Sequence, residues 1–194
     1  MFDSLIAYIA SYSSVPLADE DIEIINSVFV PKRLRKRQYF LQEGEVCKYA
    51  GFIVKGAMRQ YSVDDKGVEH MVQLSIENWW AVDRESYVNL TPSIYYIDAW
   101  EDTELLLVTK ADFVKYLNAI PAIVEMSKSL DEKHAIAIQK RLNASISMSA
   151  EKRYLDFVDS YPELVQRFPQ HLIASYLGIT KETLSRVRKQ MTKG

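Results

Sequence analysis

Cysteine is nearly absent from this 194-residue chain, which carries one, Cys47. That excludes an internal disulfide framework and any zinc or iron–sulfur centre built from cysteine alone, and it fits a reducing compartment. Long apolar runs are missing too: nothing approaches the roughly 18 uninterrupted apolar residues of a membrane-spanning helix, and no membrane partner is expected. The opening stretch MFDSLIAYIASYSSV has an acid where a secretion signal has its basic region, so a cytoplasmic location is expected. Histidine is scarce. His70, His134 and His171 are widely separated, each reads as an ordinary surface or core residue, and no metal site or cofactor is expected.

What is present suffices for packed cores. Hydrophobic residues make up 48% of the chain and the formal net charge is −2, the composition of one large or two small globular domains. Phe2, Leu5, Ile6 and Ile9 recur at helical spacing, and a second helical pattern runs through Ile22, Ile25 and Phe29 behind the acids Asp19, Glu20 and Asp21. The basic run from Lys32 to Arg37 has two readings, a nucleic-acid patch or the solvated start of a strand that continues into Tyr39–Leu41. From there to about Thr109, short apolar runs alternate with turn residues. Phe52–Val54, Ala57–Val63, Val68–Ser75, Tyr95–Trp100 and Leu105–Val108 read as strands of an antiparallel sandwich or barrel, with turns near Gly44, Lys55-Gly56 and Asp64–Gly67.

After Lys110 the period becomes helical again. A short helix over Ala111–Asn118 precedes a long one from Pro121 to about Ile146, and proline suits its first turn. Ile123, Leu130, Ala137 and Ala144 recur every seven residues, with Met126, His134, Ile138 and Leu142 beside them. Such a seam can lie on the chain's own barrel or pair with a second copy of itself, and pairing is the expectation. A helix over Glu151–Ser160 follows, with Pro162 and Pro169 as boundaries.

Gln170–Leu177 and Lys181–Gln190 are two helical patterns separated by Gly178, Ile179 and Thr180, the dimensions of a helix-turn-helix. Ile173, Leu177, Ile179, Leu184 and Val187 fall where such a unit buries apolar groups, and Ala174 is small enough for the helix crossing. Gly178 suits the left-handed end of the first helix and Thr180 the cap of the second. Leu184, Val187 and Met191 form an inward stripe, so Glu182, Ser185, Arg186 and Lys189 face outward. Arginine can pair with guanine and glutamate with cytosine, while Lys181, Arg188, Lys189 and Lys193 suit phosphate. The alternative is an amphipathic pair that merely packs.

A β-roll turning at Gly44 and Gly56, a long helix, then GITKETLSRVRK: this order resembles the cAMP receptor protein/FNR (Crp/Fnr) family of bacterial transcription regulators over nearly the whole chain. The resemblance implies an α+β fold. A cyclic-nucleotide-binding-like, jelly-roll-like sensor would occupy residues 1–118, a dimerisation helix 119–147, and a helix-turn-helix domain 148–194. It implies a homodimer on double-stranded DNA, with RNA polymerase as a further partner. The DNA-binding set is Thr180, Lys181, Glu182, Thr183, Ser185, Arg186, Arg188 and Lys189, of which Lys181, Glu182 and Arg186 fall on family DNA-contacting positions. Ile123, Met126, Leu130, His134, Ala137 and Ile138 would form the dimer seam.

The chain departs from the family in two places. Where cAMP-binding members carry Gly-Glu-Leu and later Arg-Ser, this sequence has Trp79–Tyr87 and then Ile94-Tyr95. Isoleucine cannot neutralise a cyclic phosphate, whose unpaired burial costs several kcal/mol, so cAMP is not expected. Trp79, Trp80, Arg84, Glu85, Tyr87, Tyr95 and Tyr96 either line a pocket for an unknown small-molecule effector or simply fill the roll. The sequence also ends at Gly194, too soon for the family's β-hairpin wing. Two other readings stay open: a ligand-binding or protein-interaction module without DNA binding, and a cupin-like enzyme.

Overall fold

Two helices open the chain, α1 (Phe2–Tyr12) and α2 (Asp19–Val28), and strands follow at once. The computed structural model describes residues 1–191. Eight strands, β1 (Val30–Leu34), β2 (Tyr39–Leu41), β3 (Tyr49–Lys55), β4 (Met58–Val63), β5 (Glu69–Ser75), β6 (Trp80–Ala81), β7 (Tyr96–Ala99) and β8 (Thr103–Thr109), form two four-stranded sheets. Their orders are β1-β8-β3-β6 and β2-β7-β4-β5. The pairings of β1 and β3 with β8, of β2 with β7 and of β3 with β6 are antiparallel, as expected of a β-roll. The short helix α3 (Arg84–Asn89) precedes β7, and after β8 come α4 (Lys110–Tyr116), a 3-10 turn (Leu117–Ala119) and α5 (Pro121–Ser147). Four helices complete the described residues: α6 (Ala150–Ser160), α7 (Pro162–Arg167), α8 (Gln170–Tyr176) and α9 (Lys181–Met191).

By contact the chain divides into two compact units, residues 1–60 with 75–133 and residues 61–74 with 134–194. The second therefore includes the 61–74 hairpin, which the sequence reading grouped with the sensor.

In the first unit, β8 shows why its sequence reads as an unbroken apolar run. Side chains alternate across a strand. Leu106 and Val108 pack with Leu5, Ile9, Ile25, Phe29 and Phe52 beneath the helices, while Leu105 and Leu107 pack with Leu34, Leu41, Ile53, Met58 and Ile97 in the other core. Gly56, at the β3–β4 turn, has φ +105°, and a Cβ there would lie 2.5 Å from Thr103 Oγ1 and 2.6 Å from the Asp102 carbonyl oxygen. No other residue fits that approach.

The structure corrects several expectations. The basic run is not the start of one strand: Lys32 and Arg33 lie in β1, Arg35–Gln38 form a turn, and β2 begins at Tyr39. β6 and α7 have no counterpart in the sequence reading, and β1 begins at Val30, ahead of the strand start read at Lys32. Ile123 and Met126, expected on a dimer seam, are 1% and 3% exposed in the unit's own core, because the first turns of α5 lie against the roll. Leu130 packs partly on the same core. Among the described residues no helix is long and apolar enough to cross a membrane.

Candidate nucleic-acid interface

The second unit is built on α6. The Ser149 hydroxyl caps it by accepting from the Lys152 N–H at 3.2 Å, and Tyr154 and Phe157 are buried on its inner face. The Phe157 ring lies 5.5 Å from Tyr176 and 5.6 Å from Tyr161. Pro162 does not merely mark a boundary; it occupies the first turn of α7, where its missing N–H costs nothing. α9 packs against both α6 and α8, with Leu164, Phe168, Leu172, Ile173, Ala174, Leu184 and Val187 all buried.

Residues 177–180 fix the turn. Gly178 is left-handed at φ +65°; its N–H donates to Ser175 and that of Ile179 to Ala174, each at 3.0 Å. That is the Schellman pair, which satisfies carbonyls the end of α8 would otherwise leave open. Arg153 donates to the Leu177 carbonyl at 2.8 Å, placing a cation where the helix dipole is negative. The Thr180 hydroxyl then accepts from the Thr183 N–H at 3.2 Å, capping α9.

With Leu184 and Val187 turned inward, the opposite side of α9 is set. Lys181, Glu182, Arg186, Arg188 and Lys189 are exposed, and Thr183 and Ser185 half-buried. Thr180 is exposed at the cap, and Arg186 reaches the Thr183 hydroxyl at 3.4 Å. A shallow depression of about 250 Å³ is lined by Gln170, Ser185, Arg188 and Lys189, so Gln170 from the start of α8 joins this polar surface. The sequence offers no sign of Gln170 beyond its place at a helix start. The Met191 side chain, expected on the inward stripe, and Lys193 lie outside the described residues.

Arg141 and Ser175 also escape sequence reasoning, because their partners are main-chain groups. From α5, Arg141 donates to the Val72 carbonyl at 2.6 Å, Met71 at 3.2 Å and Tyr176 at 3.1 Å. The Ser175 hydroxyl accepts from the Met71 N–H at 3.0 Å and donates to the Glu69 carbonyl at 3.2 Å. Edge strand β5 is thereby joined to α8. Burial pushes the Tyr176 phenol upward, and the adjacent Arg141 cation opposes the shift.

The expected effector residues do not converge. Trp80 lies against Phe29 and Phe52 beneath the helices, whereas Trp79 packs in the other core. Tyr87 touches both cores and its hydroxyl donates to the Val108 carbonyl; burial raises its pKa. Arg84 is paired with Asp131, Glu85 is exposed, Tyr95 donates its N–H to Ser93, and Tyr96 faces Tyr39 at 5.9 Å. A cavity of about 430 Å³ lies elsewhere, lined by Phe40, Leu41, Glu45, Val46, Cys47, Lys48 and Tyr49, and holds none of the seven.

The segment where the family's cyclic phosphate would rest does not fit an anion. The Asp83 carboxylate caps α3 by accepting from Glu85 and Ser86, so a negative charge already occupies that helix start. Ile94, at one of the family's Arg-Ser positions, is 61% exposed. On α5, His134 is half-buried while Ala137 and Ile138 are exposed. Among the described residues no group of three or more His, Cys, Asp or Glu is arranged to hold a metal. His70 instead bonds Asp64 at 2.9 Å on the exposed hairpin.

A β-roll followed by a long helix and a C-terminal helical unit is the architecture of the Crp/Fnr regulators, and the chain matches their solved structures over most of its length. FixK2 from Bradyrhizobium japonicum superposes with a TM-score of 0.73 at 18% identity, covering 86% of this chain and 85% of that one. The c-di-GMP responsive global regulator CLP of Xanthomonas campestris gives 0.70 at 13% identity, covering 91% and 92%. The Thermus thermophilus catabolite activator protein gives 0.57 at 18%, covering 91% and 84%. At such identities the likeness is one of fold. No protein-family model matches the chain, and no curated protein matches it.

Proposed function

We propose that the protein is a homodimeric, sequence-specific DNA-binding transcription regulator of the Crp/Fnr type. The observation that carries this reading is the outer face of α9. A capped helix, fixed to α8 by the turn at residues 177–180, buries Leu184 and Val187 and offers Glu182 and Arg186 to solvent beside Lys181, Arg188 and Lys189. In this reading α9, about 16 Å long, enters the major groove. Arg186 and Glu182 read base edges, and the other cations, with the Thr183 and Ser185 hydroxyls, hold phosphate.

A two-fold dimer requires half-sites about 34 Å apart, one turn of duplex. The exposed apolar side chains of α5, Ile138 and Leu142 one helical turn apart, supply a surface for the second copy to cover. The Asp83 cap and the exposed Ile94 support a sensor that does not take cAMP. An effector of other chemistry and a contact with RNA polymerase remain part of the proposal through the fold alone. A cupin-like enzyme is disfavoured by the position of His70 on an exposed hairpin, bonded to Asp64.

Selection from random duplexes tests the reading. The expected result is a motif with two-fold symmetry, and Arg186→Ala should lose about 1–3 kcal/mol on it while relaxing one base pair. Failure to enrich any motif at low salt would favour a protein-interaction module. Equal loss on all sequences would reduce Arg186 to a phosphate contact.

A further inference from the structure

We infer that the Arg84–Asp131 ion pair lies inside the seam through which α5 meets a second copy of this chain, where the two copies bring their pairs together as a cluster of four charges. This rests on the homodimer proposed above. Ile123 and Met126 fill the first unit's core, so that face of α5 is taken. Val124, Asp131 and Ile138 recur every seven residues on another face; all three are exposed, and Leu142 is exposed one turn beyond. At roughly 3.6 residues per turn they form a single line along the helix. Such a line matches itself, since each position meets its own counterpart when two copies pair in parallel about a two-fold axis. Asp131 is the charge that interrupts it.

That charge is answered from α3. In the same compact unit, the Arg84 guanidinium donates from Nη2 to Asp131 Oδ1. Lys128, one turn earlier on α5, forms no ion pair among the described residues, so Arg84 is the cation that Asp131 holds. The two side chains are 49% and 62% exposed. Their single bond leaves most of the guanidinium donors and the other carboxylate oxygen open to a group arriving from outside. Val88, one turn on from Arg84, is 54% exposed, so an apolar surface continues past the pair on α3.

The charges decide which occupant fits. A foreign apolar helix laid on this line would bury Asp131 and Arg84 with nothing to bond their open atoms, which is costly. A copy slipped by seven residues would do the same, setting Val124 or Ile138 against Asp131. A copy in register brings a second Asp131 and a second Arg84. Two facing carboxylates alone would repel, but each has a guanidinium beside it, and the two-fold axis lets the four charges alternate with their open donors and acceptors facing.

The test is a double-substitution cycle on the intact chain, read by sedimentation equilibrium, with circular dichroism checking that each variant is folded. Arg84→Gln leaves the facing carboxylates uncompensated and should raise the dimer dissociation constant by about ten-fold or more. Asp131→Leu replaces the charge with an apolar group like its neighbours on the line and should tighten the dimer. In that background Arg84→Gln should change the constant by less than about two-fold, because the carboxylate it served is gone. Unchanged constants for both single variants would overturn the inference, and so would an Arg84→Gln loss of the same size in both backgrounds. In either case the homodimer reading survives if Ile138→Asp with Leu142→Asp still dissociates the dimer. A parent chain that sediments as a monomer at every concentration overturns both.

Discussion

The guanidinium of Arg141 lies 4.2 Å from the centre of the Tyr176 ring while donating to the Tyr176 carbonyl oxygen at 3.1 Å. The same side chain reaches the Val72 and Met71 carbonyls, so one residue of α5 ties the edge of β5 to the end of α8. Bonds from a charged donor are worth about 1.5–3 kcal/mol when shielded, but Arg141 is exposed and the gain must be discounted. Arg141→Ala should therefore destabilise the second unit by about 1–2 kcal/mol in urea denaturation. Arg141→Lys should recover less than half of that, since an ammonium cannot span three carbonyls or stack as a planar fork. Full recovery by lysine would reduce the site to its charge.

Two of the glycines at positive φ, Gly178 and Gly56, should behave differently. At Gly178 a new Cβ would meet Arg153 at an ordinary 3.6 Å, so only backbone strain opposes it. Gly178→Ala should cost about 1–2 kcal/mol, and Gly178→Asn less. At Gly56 the clash with Thr103 and the Asp102 backbone adds to the strain, and Gly56→Ala should cost clearly more. Similar denaturation midpoints for the two alanine variants would contradict this.

How far such features are legible in sequence depends on who the partner is. The α8–α9 pair is written locally, in helical spacing, Gly178 and Thr180, and the structure has both the Schellman bonds and the threonine cap. β8 is legible because burial on both faces leaves an unbroken run of leucine and valine. β1 is not: VPKRL is an edge strand, where Pro31 is tolerated and charges can face water, so its composition resembles a loop. The seven-residue spacing of α5 was ambiguous in principle, since the same repeat serves a second copy or the chain's own core, and at Ile123 and Met126 it serves the core. Trp79 and Trp80 read as one cluster in sequence, yet neighbouring residues in extended chain point to opposite faces, and each fills a different core.

Acid should expose the role of Glu125. Its carboxylate accepts the Ser14 N–H at 2.8 Å and the Ser13 hydroxyl at 2.9 Å, and these bonds hold its pKa below the ordinary glutamate range. A folded-state pKa lowered in this way contributes stability above the unfolded value, and that contribution fades as pH falls through the folded one. Glu125→Gln should thus be less stable than the parent near pH 7, and the gap should close below about pH 4. A gap that stays constant across denaturation curves from neutral to acid would assign the effect to packing.

Oligomeric state separates the two ends of α5. Ile138 and Leu142 are 55% and 60% exposed, so neither stabilises the chain's own core appreciably. If a second copy covers them, Ile138→Asp with Leu142→Asp places like charges in a closed apolar seam, and the protein should sediment as a monomer. Far-ultraviolet circular dichroism of that monomer should keep its helix and strand content. Ile123→Ala is the contrasting case: it empties a site that is 1% exposed and should cost about 2–5 kcal/mol of stability, whatever the protein concentration. A double aspartate variant that still sediments as a dimer would remove Ile138 and Leu142 from the interface and direct the search to other exposed apolar positions of the helix, Val124, Ile136 and Ile146.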